Sequence, residues 1–256
     1  MTIAAGTWTV PVRRLAYPRA RLIGVPYAGA GAAAFHGWPA ELPEWLELWA
    51  VRLPARETRI GEPPMADVHA VVAAVADALA GFDDTPYALY GHSMGALVAF
   101  ELARELRRRG SPAPVRLCVS GRRAPQRADD LPGICHLPKP EFLAAVRRLN
   151  GIPEQLFDEP GLIDVLEPAL RADFAVCERY RHTAEEPLAT GLSVFGGDRD
   201  PTTDLEQLHA WRRQAAGPFV LRTYRGDHFF VHTRRRELLT DLVGDLGRVV
   251  SSTERA

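Results

Sequence analysis

Six short apolar runs punctuate the chain: "ARLIGVPY" (20–27), "LELWAVRLP" (46–54), "YALYG" (87–91), "VRLCVSG" (115–121), "GLSVFGG" (191–197) and "PFVLRTY" (218–224). Most are unbroken rather than alternating, which is the pattern of strands buried on both faces of a parallel sheet. Between them the apolar spacing changes to that of helices. Val68, Val71, Val72, Val75 and Leu79 fall on one helical face, with Asp67 placed to cap it. Leu97, Val98, Leu102 and Leu106 mark a second helix, which Gly110 is expected to end. Strand and helix alternate, so the predicted architecture is α/β, with a mainly parallel central sheet flanked by helices.

The alternation stops between Arg122 and Pro187. Only helical pieces occur there: "KPEFLAAVRRLN", "PGLIDVLE" and "PALRADFAVCERYRH", with Pro168 expected to open a new helix at its first turn. About 65 residues between two strands of one sheet are too many for a loop. The expectation is one domain over 1–256 with a helical lid inserted at 122–187; the plainer alternative is an ordinary pair of crossover helices. No internal repeat or low-complexity tract is visible.

Composition narrows the function classes. A chain of 256 residues with 25% charged and 46% hydrophobic residues can bury a large core unaided, and its net charge of −1 creates no field for nucleic acid. The N-terminus lacks a basic start followed by a long apolar run, and no segment has the 18 or more apolar residues of a membrane span, so a cytoplasmic location is expected. Cys118, Cys135 and Cys177 are odd in number and far apart, suggesting neither disulfides nor a zinc site.

The candidate chemistry lies in "YALYGHSMGALV". A G-x-S-x-G match arises by chance in roughly one such chain in twenty or thirty. Here, however, a buried-type strand runs into the pentapeptide and a helix leaves it, the context of a nucleophile elbow. Gly91 and Gly95 would let backbones crowd together around Ser93, and the helix start would favour developing negative charge. Ser93 is the candidate nucleophile. A serine needs a base oriented by an acid, and in a fold with such an elbow the chain order is serine, acid, histidine.

Candidate acids follow the strand in "SVFGGDRDPT", where Asp200 fits a G-x-x-D loop better than Asp198; Asp227 reads as a loop residue. His228, after a Gly-Asp turn, is the candidate base ahead of His232. "HFFVH" also has metal-ligand spacing, but Phe229 stands where H-E-x-x-H needs its glutamate, so no metal is expected. His92 is expected to pack or to face the surface. The oxyanion of a tetrahedral intermediate needs donors: the backbone N–H of Met94 is one candidate, and that of Ala28 in "GVPYAGAG", with Tyr27 as its alternative, is the other.

In this order the segments resemble the stand-alone type II thioesterases that accompany modular polyketide and nonribosomal peptide synthases, within the α/β-hydrolase superfamily. The resemblance spans nearly the whole chain, through "VPYAGAG", "YGHSMGALVAFELA", "VSGRRAP", "LRADFAVCERY", "FGGDRDP" and "GDHFF". It implies an α/β-hydrolase fold, a Ser93–His228–Asp200 triad, and hydrolysis of acyl thioesters from the phosphopantetheine arm of acyl or peptidyl carrier proteins. No cofactor is implied, and the protein is expected to act as a monomer. The release domains built into synthases often place the acid directly after the strand following the elbow. Here that strand ends "CVSGRRAP" with no acid until Asp129, so a discrete editing hydrolase is expected. Arg122, Arg123 and Arg234 to Arg236 are candidates for steering an acidic carrier, whereas Arg107 to Arg109 read as solvated surface. A hydrolase of free small esters and a non-catalytic binding module are the alternatives.

Overall fold

The structure is a computed structural model and describes residues 8–82, 85–127, 132–149 and 160–253. Parts of the expected lid, 128–131 with Asp129 and 150–159, lie outside the described residues. The six apolar runs form β2 (Ala20–Val25), β3 (Leu46–Val51), β4 (Tyr87–His92), β5 (Arg116–Ser120), β6 (Gly191–Gly197) and β7 (Phe219–Tyr224). They join one seven-stranded sheet in the order β1-β3-β2-β4-β5-β6-β7, in which every pairing among these six is parallel.

Successive side chains on a strand point to opposite faces, and here both faces are covered. Ile23, Leu89, Val119 and Val194 pack with α1 (Val68–Leu79) and α2 (Met94–Arg108) on one side. Leu22, Tyr90, Cys118 and Phe195 meet Leu238, Leu239 and Leu242 of α7 (Arg235–Thr253) on the other. Two covered faces explain why the runs do not alternate. The Asp67 side chain accepts a 2.8 Å hydrogen bond from the Ala70 N–H, capping α1, and α2 ends at Arg108, two residues before Gly110, whose φ is +66°.

The first strand, β1 (Thr9–Arg13, "TVPVR"), is absent from the sequence expectations. It is short and pairs antiparallel with β3 at the sheet edge, with a register shift between Pro11 and Arg13. Proline is tolerated there because an edge strand has one side without a partner.

Between β5 and β6 lie α3 (Lys139–Arg148) and α4 (Pro160–Glu178), with a small core of their own formed by Phe142, Val146 and Leu170. The expectation that Pro168 opens a new helix is corrected: α4 runs unbroken through it. Proline removes the bond to the carbonyl four residues back, that of Asp164. Both residues are exposed, so water can satisfy that carbonyl while Ile163 and Leu170 continue one buried face. Two short helices, α5 (Leu205–His209) and α6 (Phe230–Thr233), complete the set. Among the described residues no helix is long and apolar enough to cross a membrane.

Candidate active site

Ser93 occupies the turn between β4 and α2 with φ 53° and ψ −115°, a conformation that costs a non-glycine residue about 1–3 kcal/mol and persists only where its surroundings enforce it. The surroundings are backbone. A Cβ on Gly91 would overlap the Gly95 carbonyl and lie 2.6 Å from the Ala96 nitrogen; one on Gly95 would overlap the Val25 carbonyl and lie 2.8 Å from that of Pro26. Only glycine allows the elbow to press against both its own helix and the end of β2. The Ser93 N–H, in turn, donates to the Ser120 carbonyl at 2.8 Å. Met94 begins α2, so its N–H is among those left without a partner inside the helix.

His228, in the loop after β7, accompanies Ser93 in the wall of one cavity of about 310 Å³. Its Nδ1 lies 2.8 Å from Oδ2 of Asp200, a carboxylate with no exposed side-chain surface in the loop after β6. The other oxygen, Oδ1, accepts from the Thr202 N–H at 2.8 Å and from the Thr202 hydroxyl at 2.7 Å. Burial alone would raise the Asp200 pKa, but the hydrogen bond and charge of His228, followed by the bonds from Thr202, hold it below its ordinary value. Thr202 is a participant that sequence reasoning missed, although the Asp-x-Thr spacing is that of a side chain bonding its own backbone two residues on.

The alternatives from the sequence have other partners. Asp198 accepts from the Gly226 N–H at 2.9 Å, and Asp227 from the Phe229 N–H at 2.9 Å, so both shape the histidine loop through backbone. His232 Nε2 is 3.0 Å from the Tyr27 hydroxyl. "HFFVH" is therefore divided between two partners, and among the described residues no group of three His, Cys, Asp or Glu side chains is placed to hold a metal. His92 is buried beneath the site: its Nδ1 is 3.0 Å from Ser120 Oγ, and its ring centre 4.8 Å from that of His228. Burial first, then the neighbouring His228 and His232, depress its pKa well below the usual histidine range.

Ala28 and Tyr27 line the same cavity as Ser93. Opposite them the wall is apolar, with Ala145 and Val146 from α3 and Leu170, Phe174 and Cys177 from α4. Arg122 and Arg123 also line it, and the Arg122 Nη1 donates to Cys177 Sγ at 3.2 Å. Arg107, Arg108 and Arg109 instead engage Glu185, Glu105 and Asp77, while Arg234 pairs with Glu237 and Arg235 with Glu41. A strained serine, a histidine bonded to a buried carboxylate and an apolar chamber are what acyl transfer requires.

Known proteins carry the same arrangement of chain. The family model described as "Thioesterase domain" matches residues 20–246. Linear gramicidin dehydrogenase LgrE of Brevibacillus parabrevis is 38% identical over 240 residues, covering 93% of this chain and 91% of that protein. The solved structure of RedJ, a thioesterase from the prodiginine biosynthetic pathway in Streptomyces coelicolor, is 37% identical, covers 89% of this chain and 90% of its own, and superposes with a TM-score of 0.84. YbtT, a type II thioesterase from the yersiniabactin NRPS/PKS biosynthetic pathway, is 30% identical, covers 95% and 99%, and has a TM-score of 0.86.

LgrE has dehydrogenase in its name, and the Gly29-x-Gly31-x-x-Ala34 run after β2 has dinucleotide-loop spacing. That run leads into a four-residue 3-10 turn (Ala32–Phe35) rather than a long helix. Glu57 also accepts from the Ala33 N–H at 2.9 Å, where a pyrophosphate would have to sit. With an α/β-hydrolase fold and a family match over nearly its full length, the chain belongs to the thioesterase family.

Proposed function

We propose that this protein is a discrete type II thioesterase that hydrolyses acyl groups from the phosphopantetheine arm of acyl or peptidyl carrier proteins, an editing role in polyketide or nonribosomal peptide synthesis. The observation that carries the chemistry is that Ser93, held in a strained elbow, shares one apolar cavity with a histidine bonded to a buried carboxylate. The substrate class is supported by similarity to YbtT, a type II thioesterase from the yersiniabactin NRPS/PKS biosynthetic pathway.

In this reading Ser93 is the nucleophile, His228 the base and Asp200 the residue that fixes its tautomer. With Nδ1–H donated to Asp200, Nε2 is free to take the serine proton as Oγ attacks the thioester carbonyl. The N–H groups of Met94 and Ala28 receive the developing oxyanion, each worth about 2.7–4 kcal/mol of barrier. The C–S bond then breaks; the departing thiol, with a pKa of about 8.5 if it behaves like cysteine, needs little help from His228. Water, deprotonated by the same histidine, attacks the acyl-serine and releases the acid.

The segment 122–187 acts as a lid on a single hydrolase domain, with α3 and α4 enclosing the acyl chain. Arg122 and Arg123, which line the cavity, steer an acidic carrier towards it in this reading. The protein works as a monomer, in the cytoplasm beside its synthase, without metal or redox cofactor. The test is a comparison of kcat/KM for a carrier-bound acyl thioester and for a free ester of the same acyl group. A carrier preference of at least about tenfold, or about 1.4 kcal/mol of transition-state binding, is expected; equal values would refute the substrate assignment.

A further inference from the structure

The backbone that carries the Ala28 N–H is held by side chains from two distant parts of the chain. Asp173, on α4, accepts from the Gly29 N–H at 2.8 Å. Arg56, in the loop after β3, donates from Nη1 to the Ala30 carbonyl at 2.8 Å. These two residues are themselves joined by a two-pronged ion pair, Nη1 to Oδ2 at 2.9 Å and Nη2 to Oδ1 at 2.8 Å, with side chains only 9% and 2% exposed. The residues flanking Arg56, Ala55 and Glu57, have φ values of 62° and 52°, conformations that side chains adopt only under constraint.

A buried ion pair is weak evidence of stabilisation, since apolar residues of similar volume often serve as well. What distinguishes this pair is where its other hydrogen bonds end: apart from Arg56 Nε, which donates to the Pro54 carbonyl, they fall on the Gly29 N–H and the Ala30 carbonyl of the turn that follows Ala28. The turn is closed by the Ala30 N–H donating to the Tyr27 carbonyl at 3.0 Å, and Gly29 sits at φ +79° within it. With Gly29 and Ala30 both anchored, the Ala28 peptide has no independent freedom to rotate.

We infer that the Arg56–Asp173 pair is a positioning device for the oxyanion hole, and that it makes the hole depend on the seating of α4. The inference rests on the proposed role of Ala28 as an oxyanion donor. The helix that supplies Leu170 and Phe174 to the acyl chamber also supplies the carboxylate that orients the donor loop. Movement of α4 away from the body would release Gly29 and leave Arg56 buried without its partner. Chamber and oxyanion hole are therefore assembled together.

The test compares wild type with the double variant Arg56→Met/Asp173→Leu, which removes both charges at once, and with Asp173→Asn. Hydrolysis of an acyl-N-acetylcysteamine thioester is measured, active sites are counted by fluorophosphonate labelling run to completion, and melting temperature reports the fold. In the double variant the melting temperature stays within a few degrees of wild type while kcat per active site falls about 10- to 100-fold, because misplacing a catalytic group by about 1 Å costs up to that much. KM changes less than about threefold, and affinity for a boronic acid that mimics the tetrahedral intermediate falls in parallel with kcat/KM. A merely structural role would not move that last readout.

A folded double variant with kcat and boronate affinity within about twofold of wild type would overturn the inference. Should the double variant not fold, Asp173→Asn decides by the same readouts: kcat at least about fivefold lower is expected, and a wild-type value overturns it. Absence of thioester hydrolysis or of Ser93 labelling in the wild type would instead refute the proposed function, so the two failures are distinguishable.

Discussion

Replacing Asp200 by Asn is the sharpest test of how the candidate site is wired. The carboxylate has no exposed side-chain surface, and its two oxygens have different tasks: Oδ1 accepts from both the N–H and the hydroxyl of Thr202, and Oδ2 accepts from His228 Nδ1. An asparagine of the same shape must satisfy the Thr202 N–H with its carbonyl oxygen, which turns its NH₂ group toward His228. Nδ1 then becomes an acceptor and the imidazole proton moves to Nε2, the atom that should take the proton from Ser93. Such a reversal of tautomer costs about 10⁴-fold in kcat in a Ser–His–Asp triad, or about 5.4 kcal/mol of barrier. Thioester hydrolysis under saturating substrate is the assay, with thermal melting as a control for folding. The loss should fall on kcat, with KM nearly unchanged, because Asp200 does not line the cavity. A folded Asp200→Asn protein within tenfold of wild-type kcat would refute the wiring.

Three further outcomes follow from the same geometry. Gly95→Ala must push the start of α2 away from the Val25 and Pro26 carbonyls; we expect about 1–3 kcal/mol of lost stability in urea unfolding and at least tenfold lower kcat, and a wild-type profile in both would contradict the steric account of the elbow. Asp245, with no exposed side-chain surface, binds both prongs of Arg222 at 2.7 and 2.9 Å and Ser193 at 2.6 Å. Asp245→Ala takes their buried carboxylate from the buried Arg116 and from the half-buried Arg222, which keeps Asp241, and should cost about 3 kcal/mol, while kcat per folded molecule is unchanged; a loss under about 1 kcal/mol would be the contrary result.

The third concerns acid. His92 has a folded pKa depressed below its ordinary 6.5, first by burial and then by the neighbouring imidazoles of His228 and His232. A histidine kept neutral contributes its stability above the unfolded pKa, so the contribution is complete above about pH 6.5 and is lost as pH falls below it, by up to about 1.4 kcal/mol per pH unit. His92→Asn should therefore flatten the decline in unfolding free energy between pH 7.5 and 5.5 by about 1 kcal/mol; parallel curves for the two proteins would show that His92 is not the acid-sensitive group.

What could be read from the chain was local. The six parallel strands announced themselves because burial on both faces leaves unbroken apolar runs. β1 escaped because an edge strand of five residues with a central proline has neither an apolar run nor a clean alternation. Pro168 carries the sequence sign of a helix boundary, but on an exposed helix face it costs one hydrogen bond that water can replace. In the site, Ser93, Asp200 and His228 each stand beside a local sign, a glycine-flanked elbow or a strand end. Arg56 and Asp173 have none: 117 positions separate them, and only the folded chain reveals that they meet on the loop after β2. Residues that act by holding backbone from afar leave no periodicity behind.

The most direct measurement of the central claim is intact-mass spectrometry of an acyl-loaded carrier protein incubated with the wild-type enzyme and with Ser93→Ala. The wild type is expected to return the carrier to its free phosphopantetheine mass, and Ser93→Ala to leave the acyl group in place, with a rate lower by several orders of magnitude. A carrier that stays acylated with the wild type, or one that is cleared equally fast by Ser93→Ala, would contradict the claim.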